Sequence, residues 1–177
     1  MDIIGILSVI EDQPYKEVMR LWKLFEKQYN SIGVQIFNHP NLTFQGGEVK
    51  DIKVLTRDFR DLAAEIEPFK IEVDGFGRFD KRVIYIRVMK SREIARINEA
   101  VDQLLRSSGV AVFEEYTPEH WIPHITVAMD DLVGSEFDKA WSSLSGVKFG
   151  FEQKLHNICL VKRHSSGKIK ILKKFLL

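Results

Sequence analysis

Two short stretches decide how this chain is read: "HPNLTF", His39–Phe44, and "PHITV", Pro123–Val127. Aligned on proline and threonine, each runs proline, polar residue, aliphatic residue, threonine, apolar residue. Only the polar position differs, Asn41 in the first copy and His124 in the second, and the first copy carries His39 two residues earlier. Thr43 and Thr126 stand almost half the chain apart, so the pattern predicts a duplicated architecture with one motif in each half.

Each motif is predicted to lie on a strand, where side chains alternate between faces. His124 and Thr126 then share one face, with Ile125 and Val127 packed behind them. In the first copy His39, Asn41 and Thr43 share a face, with Leu42 and Phe44 behind. Two such strands set side by side would form a groove edged by imidazole and hydroxyl groups.

The surrounding pattern supplies the frame. Asp2–Ile10 reads as a strand. "PYKEVMRLWKLFEKQYN" from Pro14 reads as a helix, with Val18, Leu21, Trp22, Phe25 and Tyr29 at helical spacing. "VQIF" is predicted to be a strand leading into the first motif. A helix is expected over residues 50–66, stopped by Pro68, and then strands "FKIEV" and "RVIYIRVM" with "DGFG" as the turn between them. In the second half Ser91 is the predicted N-cap of a helix bearing Ile94, Ile97, Val101, Leu104 and Leu105, with Gly109 beyond its end. A strand near residues 111–116, the loop "TPEHW", the second motif, a short helix over 135–144 and two closing strands, "KLHNICLVKR" and "KIKILKKFLL", follow. Clustered helices and strands predict an α+β fold with mainly antiparallel sheet.

Composition sets the bounds. The 177 residues are 45% hydrophobic, enough for a single domain over 1–177 built from two lobes. Lys plus Arg number 26 against 25 Asp plus Glu, so no global charge draws the chain to nucleic acid or membrane. The lone Cys159, within "NICLV", reads as a buried core thiol. The N-terminus has no basic leader and no run approaches a membrane span, so a soluble cytoplasmic protein is expected.

Paired histidines suit phosphodiester chemistry: one accepts a proton from the attacking oxygen while the other protonates the leaving oxygen. Histidine can fill either role near neutral pH, and the threonine hydroxyls can bind nonbridging phosphate oxygens. No metal is required. His120 and His124 have the spacing of helical zinc ligands, but Pro123 opposes a helix and no acidic residue completes the set.

The twin motifs, one per half, resemble the 2H phosphoesterase superfamily, and within it the 2′-5′ RNA ligase-like (LigT) and cyclic phosphodiesterase proteins. The resemblance implies a bilobal, pseudo-twofold α+β fold with helices outside a central groove. It also implies activity on RNA ends or cyclic nucleotides without a cofactor, and a monomer is expected. His124 is the expected catalytic residue, with Thr126 and Thr43 on phosphate. The first motif departs from the family pattern, because Asn41 occupies the catalytic position. Either His39 supplies the second proton-transfer group from about 7 Å along the strand, or Asn41 only helps to bind phosphate and leaves an impaired nucleotide- or RNA-binding module. His120, Trp121 and Arg78 are expected at the groove, Trp121 as a stacking platform for a base, and Arg87 is a further candidate for phosphate. The lysines of the last hairpin read as a solvated edge.

Overall fold

The computed structural model describes residues 1–177, the side chain of Val54 excepted. Strand β1, Asp2–Val9, leads into helix α1, Asp12–Tyr29, which buries Val18, Trp22 and Phe25 and ends at Asn30 in the left-handed conformation. Strand β2, Asn41–Val49, carries the first motif, and α2 spans Ile52–Glu65 behind an Asp51 cap. Strands β3, Phe69–Phe79, and β4, Val83–Val88, form a hairpin. Helix α3, Arg92–Ser107, begins where the Ser91 hydroxyl accepts the Ile94 N–H, and its buried stripe is Ile94, Ile97, Val101 and Leu105. The short β5, Ala111–Val112, precedes β6, His124–Met129, with the second motif. Helix α4, Ser135–Leu144, and strands β7, Gly150–Leu155, β8, Asn157–Arg163, and β9, Ile169–Leu176, complete the chain.

The strands form two antiparallel sheets. Sheet one has the order β5-β2-β1-β8-β9 and sheet two the order β6-β4-β3-β7. The fold is therefore α+β, and the two motifs lie on different sheets. One continuous core runs through both, from Ile4, Ile6, Leu42 and Phe44 to Ile84, Ile86, Ile125 and Val127. The residues predicted to pack behind each motif are fully buried in it. Neither sheet corresponds to one half of the sequence, since β3 and β4 from the first half pair with β6 and β7 from the second.

Both motif strands carry a β-bulge just after the threonine. On β2, Gln45 pairs with Ile6 and Thr43 with Leu7, so Phe44 is the extra residue. On β6, Ala128 pairs with Ile84 and Thr126 with Tyr85, so Val127 is extra. A bulge interrupts the ladder, and in each case a tryptophan indole N–H reaches the threonine carbonyl: Trp121 donates to Thr43 O and Trp22 to Thr126 O, both at 3.0 Å. Duplication at the level of the fold is thus maintained by tryptophans that lie outside the motifs, one on α1 and one in the loop before β6.

Three local expectations are corrected. "VQIF" is a 3-10 turn over Gly33–Ile36, because the Ile32 and Gly33 N–H groups both bond to the Asp131 carboxylate at 2.6 Å. "DGFG" lies inside β3, and the hairpin turns at residues 80–82, where Asp80 adopts φ 48°. "KLHNICLVKR" is two strands in different sheets, divided at His156 where the chain crosses from sheet two to sheet one.

Candidate active site

Because β6 has period two and Pro123 leads into it, His124 and Thr126 face one way while Ile125 and Val127 are fully buried. Their partners on β4 are Arg87, opposite His124, and Tyr85, opposite Thr126. Residues directly opposite in a ladder project to the same side, so these four define the groove face of sheet two. His124 and Thr126 line a cleft of about 700 Å³ together with Phe79, Val83, Met129, Tyr116, Ile122, His120, Glu114 and Glu115.

The His124 ring is enclosed by aromatic side chains. Phe79 meets it edge-on at 5.0 Å, Tyr85 is tilted at 5.2 Å and Tyr116 stacks at 6.2 Å. Its Nδ1 lies 2.7 Å from the Ile122 carbonyl. A carbonyl can only accept, so Nδ1 carries the proton and Nε2 presents a free lone pair in the neutral ring. Burial lowers the His124 pKa below the ordinary histidine value, opposed in part by the bond to Ile122. Burial thereby favours the neutral ring at neutral pH. Beside it the Tyr116 hydroxyl is pushed up to about 12, by burial first and by the Glu115 carboxylate second.

His120 lies on the loop across the cleft and has the same tautomeric constraint. The Thr117 hydroxyl donates to Glu114 O at 2.9 Å, which leaves its oxygen to accept from His120 Nδ1 at 3.0 Å. The Glu114 carboxylate is 3.2 Å from that nitrogen. The cleft thus contains two imidazoles, each tied down through Nδ1.

The first motif is arranged differently. β2 begins at Asn41, so His39 precedes the strand, in a bend, and is exposed. Its ring packs edge-on against Phe37 at 5.2 Å, and only its backbone carbonyl touches the motif, accepting from Asn41 Nδ2 at 3.0 Å. The Asn41 Oδ1 in turn accepts the Thr43 hydroxyl at 2.9 Å. Asn41 and Thr43 pair with Val9 and Leu7, whose side chains cluster with Phe37, Cys159 and Val161. That face of sheet one is packed with apolar groups, and His39, Asn41 and Thr43 are not among the residues lining the cleft.

Two other expected groove residues are elsewhere. Trp121 is 2% exposed, bonded to Thr43 O and packed on Phe44 at 5.8 Å, with Lys90 over its ring. It is a strut between the lobes and no surface for a base. Arg78 alternates with the cleft residue Phe79 and projects to the opposite side, its guanidinium over Trp141 of α4 at 5.5 Å. Sequence reasoning missed Phe79, Tyr85 and Tyr116. The first two have a signal in hindsight, since Phe79 and Tyr85 are odd-numbered residues of a strand pair facing the motif.

A model of the 2′-5′ RNA ligase superfamily matches residues 11–167. The chain belongs to the 2′-5′ RNA ligase superfamily. A protein of Geobacillus kaustophilus named "Putative phosphoesterase" is 26% identical over 166 residues, 92% of this chain and 91% of that protein. Among solved structures, TT0787 of Thermus thermophilus aligns with a TM-score of 0.71 at 17% identity, over 100% of this chain and 98% of that one. E. coli LigT complexed with 3′-AMP aligns with a TM-score of 0.66 at 15% identity, over 99% and 98%. The superfamily fold is accordingly a LigT-like one, and no described helix is long and apolar enough to cross a membrane.

Proposed function

We propose that this superfamily member is a phosphodiesterase acting on 2′,3′-cyclic or 2′-5′ phosphodiesters of nucleotides or RNA ends. The observation that carries the reading is the His124 ring, held through Nδ1 on Ile122 O with Nε2 free beside Thr126 in the cleft. That a LigT structure is complexed with 3′-AMP supports a nucleotide as the substrate class.

In the proposed reaction a water oxygen attacks phosphorus and its proton passes to His124 Nε2. The bond from phosphorus to the 2′ or 3′ oxygen breaks, and that oxygen takes a proton from the imidazolium form of His120. The second proton-transfer group thus comes from the loop over the cleft, where the Glu114 carboxylate lies 3.2 Å from His120 Nδ1. Thr126 holds a nonbridging oxygen. His39, which sequence reasoning advanced for the second role, is assigned none.

A second reading rests on Asn41, whose amide is engaged by Thr43 and the His39 carbonyl: a module that binds nucleotides without turnover. Hydrolysis of 2′,3′-cyclic nucleotides, assayed in EDTA, separates the two. The enzyme reading expects wild-type turnover, reduced ~10²–10⁴-fold in His120→Ala as general acid–base groups typically contribute, with Asn41→His near wild type. An inactive wild type that gains turnover through Asn41→His would establish the binding module instead.

A further inference from the structure

We propose that Arg87 forms a second anion subsite, which binds the phosphate flanking the scissile one in a 5′-phosphorylated nucleotide or a short oligonucleotide. The proposal rests on the phosphodiester reading for the identity of the ligand, and on the placement of Arg87 over sheet two for the site.

Arg87 is the β4 partner of His124, so its side chain starts on the groove face beside the proposed base. From there it crosses β3. A Cβ added at Gly75 would stand 2.9 Å from Arg87 Nη2, and one at Gly77 would come within 2.6 Å of the Tyr85 hydroxyl and overlap its ring. The glycines of "DGFG" therefore make β3 bare where Arg87 and Tyr85 lie over it, and Gly75 at φ +67° takes a conformation that other residues rarely adopt. Burial raises the Tyr85 pKa and the Arg87 charge partly offsets this, which fits two side chains lying together.

The guanidinium is anchored without being neutralised. Arg87 Nε donates to the Asp74 carbonyl at 2.8 Å, which fixes the plane of the fork, with Nη2 lying over Gly75. Among the described residues no carboxylate lies within ion-pairing distance of Arg87, and the residue is exposed. A fixed, unpaired guanidinium fork is the geometry that matches a phosphate bidentately.

Position separates this subsite from the scissile phosphate. β6, β4 and β3 are successive strands of sheet two. At strand spacings of about 4.8 Å the guanidinium over β3 stands roughly 9–10 Å from β6, beyond hydrogen-bond reach of a phosphorus held at His124. The cleft itself is lined by Glu114 and Glu115 and by no lysine or arginine. These carboxylates come from the 3-10 turn Glu114–Tyr116, which packs against β2 of sheet one, whereas Arg87 lies over β3 of sheet two. The charge asymmetry gives the substrate a direction, its additional phosphate toward β3 and its nucleoside donors toward the carboxylates.

Calorimetric binding of two product-like probes tests this without requiring turnover: a nucleoside 3′-monophosphate and the matching 3′,5′-bisphosphate. Wild type is expected to bind the bisphosphate at least tenfold more tightly. Arg87→Gln should lose that preference while its affinity for the monophosphate stays within twofold, and Arg87→Lys should retain part of it. Unchanged thermal unfolding of Arg87→Gln confirms that the fold is retained. Equal affinity of the wild type for both probes, binding of neither, or equal weakening of both by Arg87→Gln would overturn the subsite. A catalytically inactive protein that still shows the Arg87-dependent preference would retain the subsite and refute only the hydrolytic reading.

Discussion

Trp121 and Thr43 join the two sheets: the indole N–H of Trp121, in the loop before β6, donates to the Thr43 carbonyl on β2 at 3.0 Å. The bulge at Phe44 interrupts the β2 ladder at this point, and Trp121 supplies the donor there. Trp121→Phe retains most of the packing against Phe44 and removes the donor. Leaving a buried acceptor unmade costs about 1–3 kcal/mol, and for a domain of this size each kcal/mol lowers the unfolding midpoint by roughly 2–4 °C. Thermal unfolding should show this loss, with the rate per folded molecule retained.

The Asp131 carboxylate makes three hydrogen bonds to one segment, to the Ser31 hydroxyl at 2.8 Å and to the Ile32 and Gly33 N–H groups. It pins the 3-10 turn of residues 33–36 against the end of β6. Asp131→Ala is expected to destabilise the fold by about 2–4 kcal/mol, since hydrogen bonds to charged groups are worth about 1.5–3 kcal/mol each and their losses overlap. Denaturant unfolding measures it, and hydrogen exchange should show the Ile32 and Gly33 amides losing protection.

The pH dependence follows from His124. Its folded pKa lies below its ordinary value because burial disfavours the charged ring. The unfolded chain therefore binds the proton first as pH falls, so this group contributes most to stability above about pH 6.5. That contribution declines as pH drops through the unfolded value toward the folded one. A base that must be neutral should also keep activity below pH 6.5, with the acid limb of kcat/KM displaced to lower pH than that of an exposed histidine. A limb displaced upward would contradict the burial argument.

Gly77→Ala probes the floor of the groove. The new Cβ would overlap the Tyr85 ring, which stacks on Phe79 at 4.4 Å and borders His124. Displacing the ring should cost about 1–3 kcal/mol, as overpacking typically does. It should also lower kcat/KM, because Phe79 and Tyr85 hold the His124 ring from one side. Unfolding and turnover measured on the same preparation would show both effects, whereas an unperturbed midpoint would rule out the close approach.

Much of this architecture is legible in local pattern. The stripe of α3, its Ser91 cap and the period-two faces of β2 and β6 are set by short-range rules, and the structure has them where the pattern places them. The misplacements come from long-range partners. "VQIF" looks like a strand until Asp131, almost a hundred residues away, takes the N–H groups of Ile32 and Gly33 just before it. "DGFG" looks like a turn because glycines usually make turns, but here their missing side chains admit Arg87 and Tyr85 from the neighbouring strand. Trp121 stands next to the motif in sequence and so suggested a base platform, yet a bulge on the other sheet requires its indole. His39 depended on a strand extending two residues further than it does. The second imidazole of the cleft, His120, is legible in the sequence as a loop residue, and its orienting partners Thr117 and Glu114 stand only three and six residues before it, but their contacts depend on the 3-10 turn that the loop adopts there.

His124 is the central residue of the proposed reaction, and the most direct measurement is the rate of 2′,3′-cyclic nucleotide hydrolysis by folded His124→Ala beside wild type, at neutral pH in EDTA. Loss of a general base predicts a fall in kcat of ~10²–10⁴-fold, with the unfolding transition of the variant still cooperative. Wild-type turnover that His124→Ala leaves intact would contradict the assignment of this cleft as the active site.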